Sequence, residues 1–293
     1  MSMSIKLFFL YLIVVIINFS HIEDSQTKKQ LNNIESNKET STKKNIKVQS
    51  KIKKLKKGSY KEIDLILLSD VQPILDEKSV PRVIYSMDKV SLKNLDTSYK
   101  KQKFLEIMVP TAMIVIEEIE EIRNNLKLII EGKKDRDEDY LSEMYTKYRV
   151  KEKDIEVLYL KLKPVPISIL LSQAIIESGW GTSRFFQKAN NIFGVWSVDP
   201  TEPRIKAGKA RTNKQVYLRK YPTLKGSITD YMKLLARHKA YSEFRKKLQT
   251  TDDYKILVPK LNKYSELGKV YTNRLKSTIE HNELYKYNRY EFE

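Results

Sequence analysis

Apolar positions fall into three regimes along the chain. Leu7 to Phe19 is an apolar run broken only by Asn18, residues 27–57 have neither an aromatic nor a sustained apolar period, and from about Tyr60 apolar residues recur at helical spacing. The first run is short for a bilayer core of about 30 Å, and it follows Lys6 in the layout of a secretory signal. No small-x-small pair stands around Asn18 to His21, so residues 1–26 are expected to be a signal peptide or an N-terminal membrane anchor, with the membrane as a partner through this segment. Residues 27–57 cannot repay their ordering entropy by burial and are read as a lysine-rich disordered tether.

Beyond the tether the pattern predicts helices. Residues 61–76 and 86–96 read as short amphipathic segments around Pro73 and Pro81, and a long helix runs from Leu92 or Ser98 to Ile130. Its stripe includes Phe104, Met108, Ile119 and Leu126, and Pro110 predicts a kink or a break. Asp137 or Asp139 can cap a helix over 139–148, and Lys151 to Leu162 makes another that ends at Lys163-Pro164-Val165-Pro166. Pro166 then opens a helix whose stripe is Ile167, Leu170, Leu171, Ala174 and Ile175, and Gly179 is suited to its left-handed C-cap. Strands are expected over Phe193 to Val198 and Lys214 to Tyr221, and Pro200 and Pro203 make the stretch between them a loop.

Composition narrows the chemistry. The chain has 293 residues, no cysteine and three histidines, His21, His238 and His281, none at helical ligand spacing. Thiolate and histidine metal sites are excluded with disulfide scaffolds, and no metal or other cofactor is expected. Of the formal net charge of +18, half lies in residues 27–57, where eleven lysines face Glu35 and Glu39. Much of the rest falls in basic residues between Arg204 and Lys247, a field suited to an anionic polymer. No zinc finger, basic zipper, RNA-recognition signature or phosphate loop accompanies it, so nucleic acid is not the expected partner.

One position stands out on chemical grounds. Glu177 is an acid in the last turn of an otherwise apolar helix, where the negative end of the helix dipole disfavours its ionisation, and Trp180 follows at once. Dipole and desolvation beside an indole both raise its pKa, as a carboxylic acid needs if it is to protonate a leaving oxygen at neutral pH. Gly179 and Gly181 place two of the chain's eight glycines around one of its two tryptophans, in the sharp, tightly packed helix end that a cleft floor requires. Gln173, four residues earlier, shares the face of Glu177.

The run Ser172-Gln-Ala-Ile-Ile-Glu-Ser-Gly-Trp-Gly-Thr-Ser-Arg-Phe185, followed by Ala189-Asn-Asn-Ile-Phe-Gly-Val-Trp196, resembles the bacterial Bax-like and FlgJ-like glucosaminidases, family 73 of the glycoside hydrolases. Tyr217 to Tyr221, Ser227 to Leu235, His238 to Tyr241 and Tyr271 to Ile279 continue the match, which covers roughly residues 80–285. The resemblance implies a mainly α (α+β) protein: a lysozyme-like helical domain over 164–293 with a small β-hairpin beside the cleft, preceded by a helical region over 58–163 that packs on it. It also implies cleavage of the β-1,4 bond after N-acetylglucosamine in peptidoglycan. Glu177 matches the family's general acid, Tyr241 an active-site tyrosine, and Asn190, Asn191, Phe193 and Gly194 the turn into the hairpin. Trp180, Asn190, Asn191, Phe193, Trp196 and Tyr221 are the expected substrate-binding residues.

A second carboxylate is the departure from the family pattern. Asp199 and Glu202 are the candidates on the hairpin loop, and neither aligns with the family's glutamate; if neither serves, the substrate's own 2-acetamido group can act as the nucleophile. The sequence thus points to an exported, periplasmic or cell-envelope glycosidase, a monomer whose partner is the peptidoglycan glycan strand. The alternatives are a lytic transglycosylase or muramidase on the same fold and a wall-binding protein without catalysis.

Overall fold

The computed structural model describes residues 58–208 and 215–293. The expected signal or anchor over 1–26, the tether over 27–57 and the basic residues Lys209, Arg211 and Lys214 lie outside the described residues. In chain order the elements are β1 (Lys61–Asp64), β2 (Val83–Ser86), α1 (Thr97–Ile130), α2 (Glu138–Tyr148), α3 (Ile155–Lys161), α4 (Ile167–Ser178), α5 (Arg184–Ala189), β3 (Trp196–Ser197), β4 (Arg204–Lys206), β5 (Tyr217–Arg219), α6 (Leu224–Arg237), α7 (Ser242–Leu248), α8 (Tyr254–Leu257) and α9 (Lys269–His281), with single 3-10 turns between several of them. The fold is mainly α with two small sheets.

The first difference from expectation comes before α1. Residues 61–76 and 86–96 form no α-helix; β1 and β2 pair in parallel there, Lys61 opposite Val83 and Asp64 opposite Ser86. Pro73 and Pro81 lack the N–H groups a helix would need, and the buried run Val83, Ile84 and Tyr85 pairs as a strand. The lead-in therefore combines a strand pair with helices.

α1 begins on Asp96, whose carboxylate accepts from the Ser98 and Tyr99 amides. It continues through Pro110 without ending. A mid-helix proline costs roughly 3 kcal/mol; Pro110 sits in a fully buried stretch from Glu106 to Ala112, where packing offsets that loss, and the Thr111 hydroxyl donates to the Ile107 carbonyl beside it at 3.0 Å. α2 starts on Asp137 as expected, whereas the helix expected over 151–162 is shortened to α3, because Glu152 takes a left-handed φ of 61° and Asp154 provides a fresh cap.

One continuous core runs from Leu65 to Tyr287, so the packing has no break at residue 163. α4 lies at its centre, and every residue from Ile167 to Ile175 is buried. β3, β5 and β4 form a three-stranded antiparallel sheet in that order, one strand more than the expected hairpin, because β4 forms inside the expected loop between Val198 and Lys214 and pairs with β5.

Gly179, Trp180 and Gly181 all have left-handed backbones, with φ of 58°, 58° and 73°. This triplet turns the chain sharply at the end of α4, and the Gly181 amide donates to the Ser178 hydroxyl at 2.9 Å. A Cβ on Gly181 would meet Leu92 at 2.8 Å and Phe104 and Phe186 at 3.1 Å. Gly181→Ala is therefore expected to destabilise the fold by about 2–4 kcal/mol through backbone strain and overpacking. Gly208→Ala, with nothing within 4 Å of its added carbon, should stay within about 0.5 kcal/mol of the parent in urea unfolding.

Candidate active site

α4 ends at the protein surface, and its last turn brings Glu177 out of the core into a half-buried position among tyrosines from four later segments. The Tyr271 hydroxyl, from α9, donates to Glu177 Oε1 at 2.8 Å. Gln173, fully buried one turn earlier on the same face, donates through Nε2 to the Tyr271 oxygen at 3.0 Å, and its Oε1 accepts from the Tyr231 hydroxyl of α6 at 2.5 Å. Tyr264 lies parallel to Tyr271 with centroids 5.6 Å apart, at 6.5 Å from Tyr231 and 6.0 Å from Tyr241.

These surroundings set the acidity of the site. Burial pushes the Glu177 carboxyl up to about 7, against the opposing pull of the Tyr271 hydrogen bond and of the Arg274 charge. Burial likewise raises Tyr231, Tyr264 and Tyr271 well above the ordinary phenol range and Tyr241 to about 12, and the negative charge of Glu177 adds to each. All four tyrosines are protonated donors at neutral pH. Among the described residues the Tyr241 and Tyr264 hydroxyls hold no hydrogen bond, which leaves them available to a ligand.

The other expected residues divide by what they touch. The Trp180 indole packs edge-on to Phe104 at 5.6 Å and lies under the Lys101 ammonium at 5.1 Å, both on α1. Asn190 ends α5 with a φ of 49° and donates to the Tyr221 and Pro222 carbonyls. Asn191 is 1% exposed, donates to the Val195 and Arg219 carbonyls and accepts from the Val195 amide. Both asparagines thus tie the turn to β5 rather than facing a substrate. Phe193 is buried and stacks on Tyr231 at 4.1 Å, so it builds the wall behind the tyrosines. Trp196 is 49% exposed on β3, as a sugar platform requires.

Asp199 and Glu202 are engaged elsewhere. Asp199 accepts from the Thr201 amide and hydroxyl in its own turn. Glu202 pairs with Arg219 at 3.0 Å, and Arg219 in turn reaches Asp230 at 2.8 Å, which accepts from Tyr221 and pairs with Lys233. Glu202, Arg219, Tyr221 and Asp230 line an open groove whose walls do not include Glu177. Part of the basic field is also internally engaged: Arg245 donates to the Leu235 and His238 carbonyls at the end of α6.

Sequence reasoning missed Tyr264, Tyr271 and Arg274 as neighbours of Glu177. Tyr271 and Arg274 stood inside the quoted stretch 271–279, three apart and so on one helix face, but Tyr264 was diluted among 18 tyrosines.

The site thus gathers one carboxylic acid whose pKa burial raises to about 7 and four tyrosines that are protonated at neutral pH. Residues 156–284 match the glucosaminidase family model described as mannosyl-glycoprotein endo-beta-N-acetylglucosaminidase. The chain is similar to Protein bax of Escherichia coli strain K12, 33% identical over 125 residues that cover 41% of this chain and 43% of that protein. It is also similar to the exo-glucosaminidase LytG of Bacillus subtilis strain 168, 35% identical over 94 residues covering 30% and 33%. The matches thus span less than half the length of either curated relative. Among solved structures, the glycoside hydrolase domain of Salmonella typhimurium FlgJ aligns with a TM-score of 0.34 at 22% identity, over 50% of this chain and 87% of that one.

The raised Glu177 pKa has a stability consequence. The unfolded chain ionises this group near 4.5 and the folded one near 7, so folding becomes less favourable as pH rises through that window and the penalty is complete above 7. Glu177→Gln, which carries no charge to bury, is expected to stabilise the protein at pH 8 by on the order of 2–3 kcal/mol relative to the parent and to leave it nearly unchanged at pH 4. Thermal unfolding of the pair across pH 4–8 measures the difference.

Proposed function

We propose that the protein is an exported peptidoglycan hydrolase, an endo-β-N-acetylglucosaminidase that cleaves the β-1,4 bond after N-acetylglucosamine with Glu177 as general acid. The observation that carries this reading is the Glu177 carboxyl at about 7, hydrogen-bonded through one oxygen to Tyr271. The match of residues 156–284 to a glucosaminidase family and the similarity to LytG support it. Among the described residues no helix is long and apolar enough to cross a membrane; attachment, if retained, would fall to residues 1–26, and a monomer acting on the glycan strand is the simplest working form.

Glu177 transfers its proton to the glycosidic oxygen as the bond from that oxygen to the sugar C1 breaks, and the freed chain leaves with a hydroxyl. Because Asp199 and Glu202 are bound to Thr201 and Arg219, the acetamido carbonyl oxygen of the substrate closes on C1 and forms a cyclic oxazolinium. Glu177, now a carboxylate, takes a proton from the water that opens the ring, which restores the acid and yields a reducing N-acetylglucosamine end. Tyr241 and Tyr264 donate to the sugar from the cleft wall, and Trp196 stacks on a ring further along.

Glu177→Gln should reduce cleavage of purified cell walls at least about 1000-fold with the fold intact. Borohydride reduction of the parent's products should yield glucosaminitol; muramitol or anhydromuramic ends would assign the other glycosidic bond, and binding without any cleavage would leave a wall-binding protein. Asp199→Asn and Glu202→Gln should each keep activity within about tenfold of the parent, because Arg219 retains Asp230 when Glu202 is lost. A loss of 100-fold or more in either would make that acid the second catalytic carboxylate.

A further inference from the structure

The buried amide of Gln173 is linked to the acid through Tyr271 alone, and its hydrogen bonds have a sense. A tyrosine hydroxyl has one proton to donate, and a glutamine side chain has one accepting and one donating end. Tyr231 donates to Gln173 Oε1, which turns Nε2 toward Tyr271; the Tyr271 oxygen accepts there, and its single proton goes to Glu177 Oε1. Reversing the amide would reverse the series: Oε1 would take the Tyr271 proton, and Tyr271 could only accept from Glu177. The acid's proton would then sit in the wall, on the oxygen that faces Tyr271.

Resting on the glucosaminidase reading, we propose that Gln173 is a positioning residue: its amide, held in one orientation by Tyr231, makes Tyr271 a donor to Glu177 Oε1 and so reserves Oε2 for the proton that goes to the leaving oxygen. The relay spans three elements, α6, α4 and α9, and every atom between the Tyr231 hydroxyl and Glu177 belongs to a buried side chain. The titratable groups facing Glu177 are Tyr231 from α6, Tyr241 and Tyr264 from the segments that follow it, and Tyr271 and Arg274 from α9. None of the four phenols ionises near neutrality, so the alkaline limb of kcat/KM reports Glu177.

The two senses of the relay predict opposite shifts. With Tyr271 as donor, its hydrogen bond favours the carboxylate, so Tyr271→Phe moves the alkaline limb upward, by about half a pH unit or more. With Tyr271 as acceptor, the same change moves it downward. Tyr231→Phe, which does not touch the Glu177 carboxyl, frees the amide and should shift the limb in the upward direction with a several-fold fall in kcat. Gln173→Met should do the same, and in the Tyr271→Phe background neither change should move the limb again. A downward or absent shift in folded Tyr271→Phe, or additive shifts in the double variants, overturns the inference. Should Gln173→Met fail to fold, Tyr231→Phe carries the test alone. Product analysis of each variant separates the outcomes: glucosaminitol with an unmoved limb removes the role of Gln173 and leaves the glucosaminidase reading standing.

Discussion

The structure depends on one constraint, that a helix buried from Ile167 to Ile175 must deliver an acid to solvent within its last turn. A helix submerged in a core needs partners for its polar groups, and α4 finds most of them: Ser172 and Ser178 donate to carbonyls of their own helix and two tyrosines of later helices satisfy Gln173, while the buried Ser168 hydroxyl has no partner among the described residues. The left-handed triplet at 179–181 then stops the helix before Glu177 could be followed by another buried turn. Phe104, Leu92 and Phe186 close over Gly181, so the helix end is fixed by packing on α1 and α5. The acid is immobilised through its backbone before any side chain touches it.

Around this fixed point the later segments supply the aromatic wall. Phe193 backs Tyr231, Tyr264 lies against Tyr271, and the Asn191 side chain holds the turn that places Phe193. Residues that look like ligands in the sequence thus act as architecture: the asparagines are bonded to backbone carbonyls, and the Arg219 network with Glu202 and Asp230 braces the small sheet against α6. A buried charged network of this kind organises geometry more than it adds stability, since desolvation cancels much of its Coulomb attraction.

How much of this was legible follows from the range of the interactions. Helix α4, its proline start, its glycine end and the acid in its last turn are encoded within about 15 consecutive residues, and local rules found them. So did the Asp137 cap of α2. The strand pair β1 and β2 was missed because parallel pairing joins residues 61–64 to 83–86 across an irregular stretch, where neither strand alternates in the pattern of a half-buried sheet. The break at Glu152 and the continuity of α1 through Pro110 both reflect tertiary packing overriding local preference. The packing of Trp180 on Phe104 of α1 was likewise invisible locally, because it depends on the left-handed turn at 179–181 and on a residue 76 positions away.

The tyrosine ring explains why a single acid can titrate near neutrality without a second carboxylate to repel it. In a pair of neighbouring acids, like-charge repulsion raises one pKa and lowers the other; here the whole shift comes from burial, and the opposing terms are one hydrogen bond and one exposed arginine. Phenols suit this arrangement. They exclude water as effectively as phenylalanine, yet their hydroxyls remain protonated through the physiological range and can donate to an oxygen that gains charge during the reaction. A ring of carboxamides would solvate the carboxylate and return it toward 4.5, and a ring of phenylalanines would leave its ionised form without any donor. Four phenols, three of them buried and Tyr264 partly so, hold the Glu177 carboxyl between those limits.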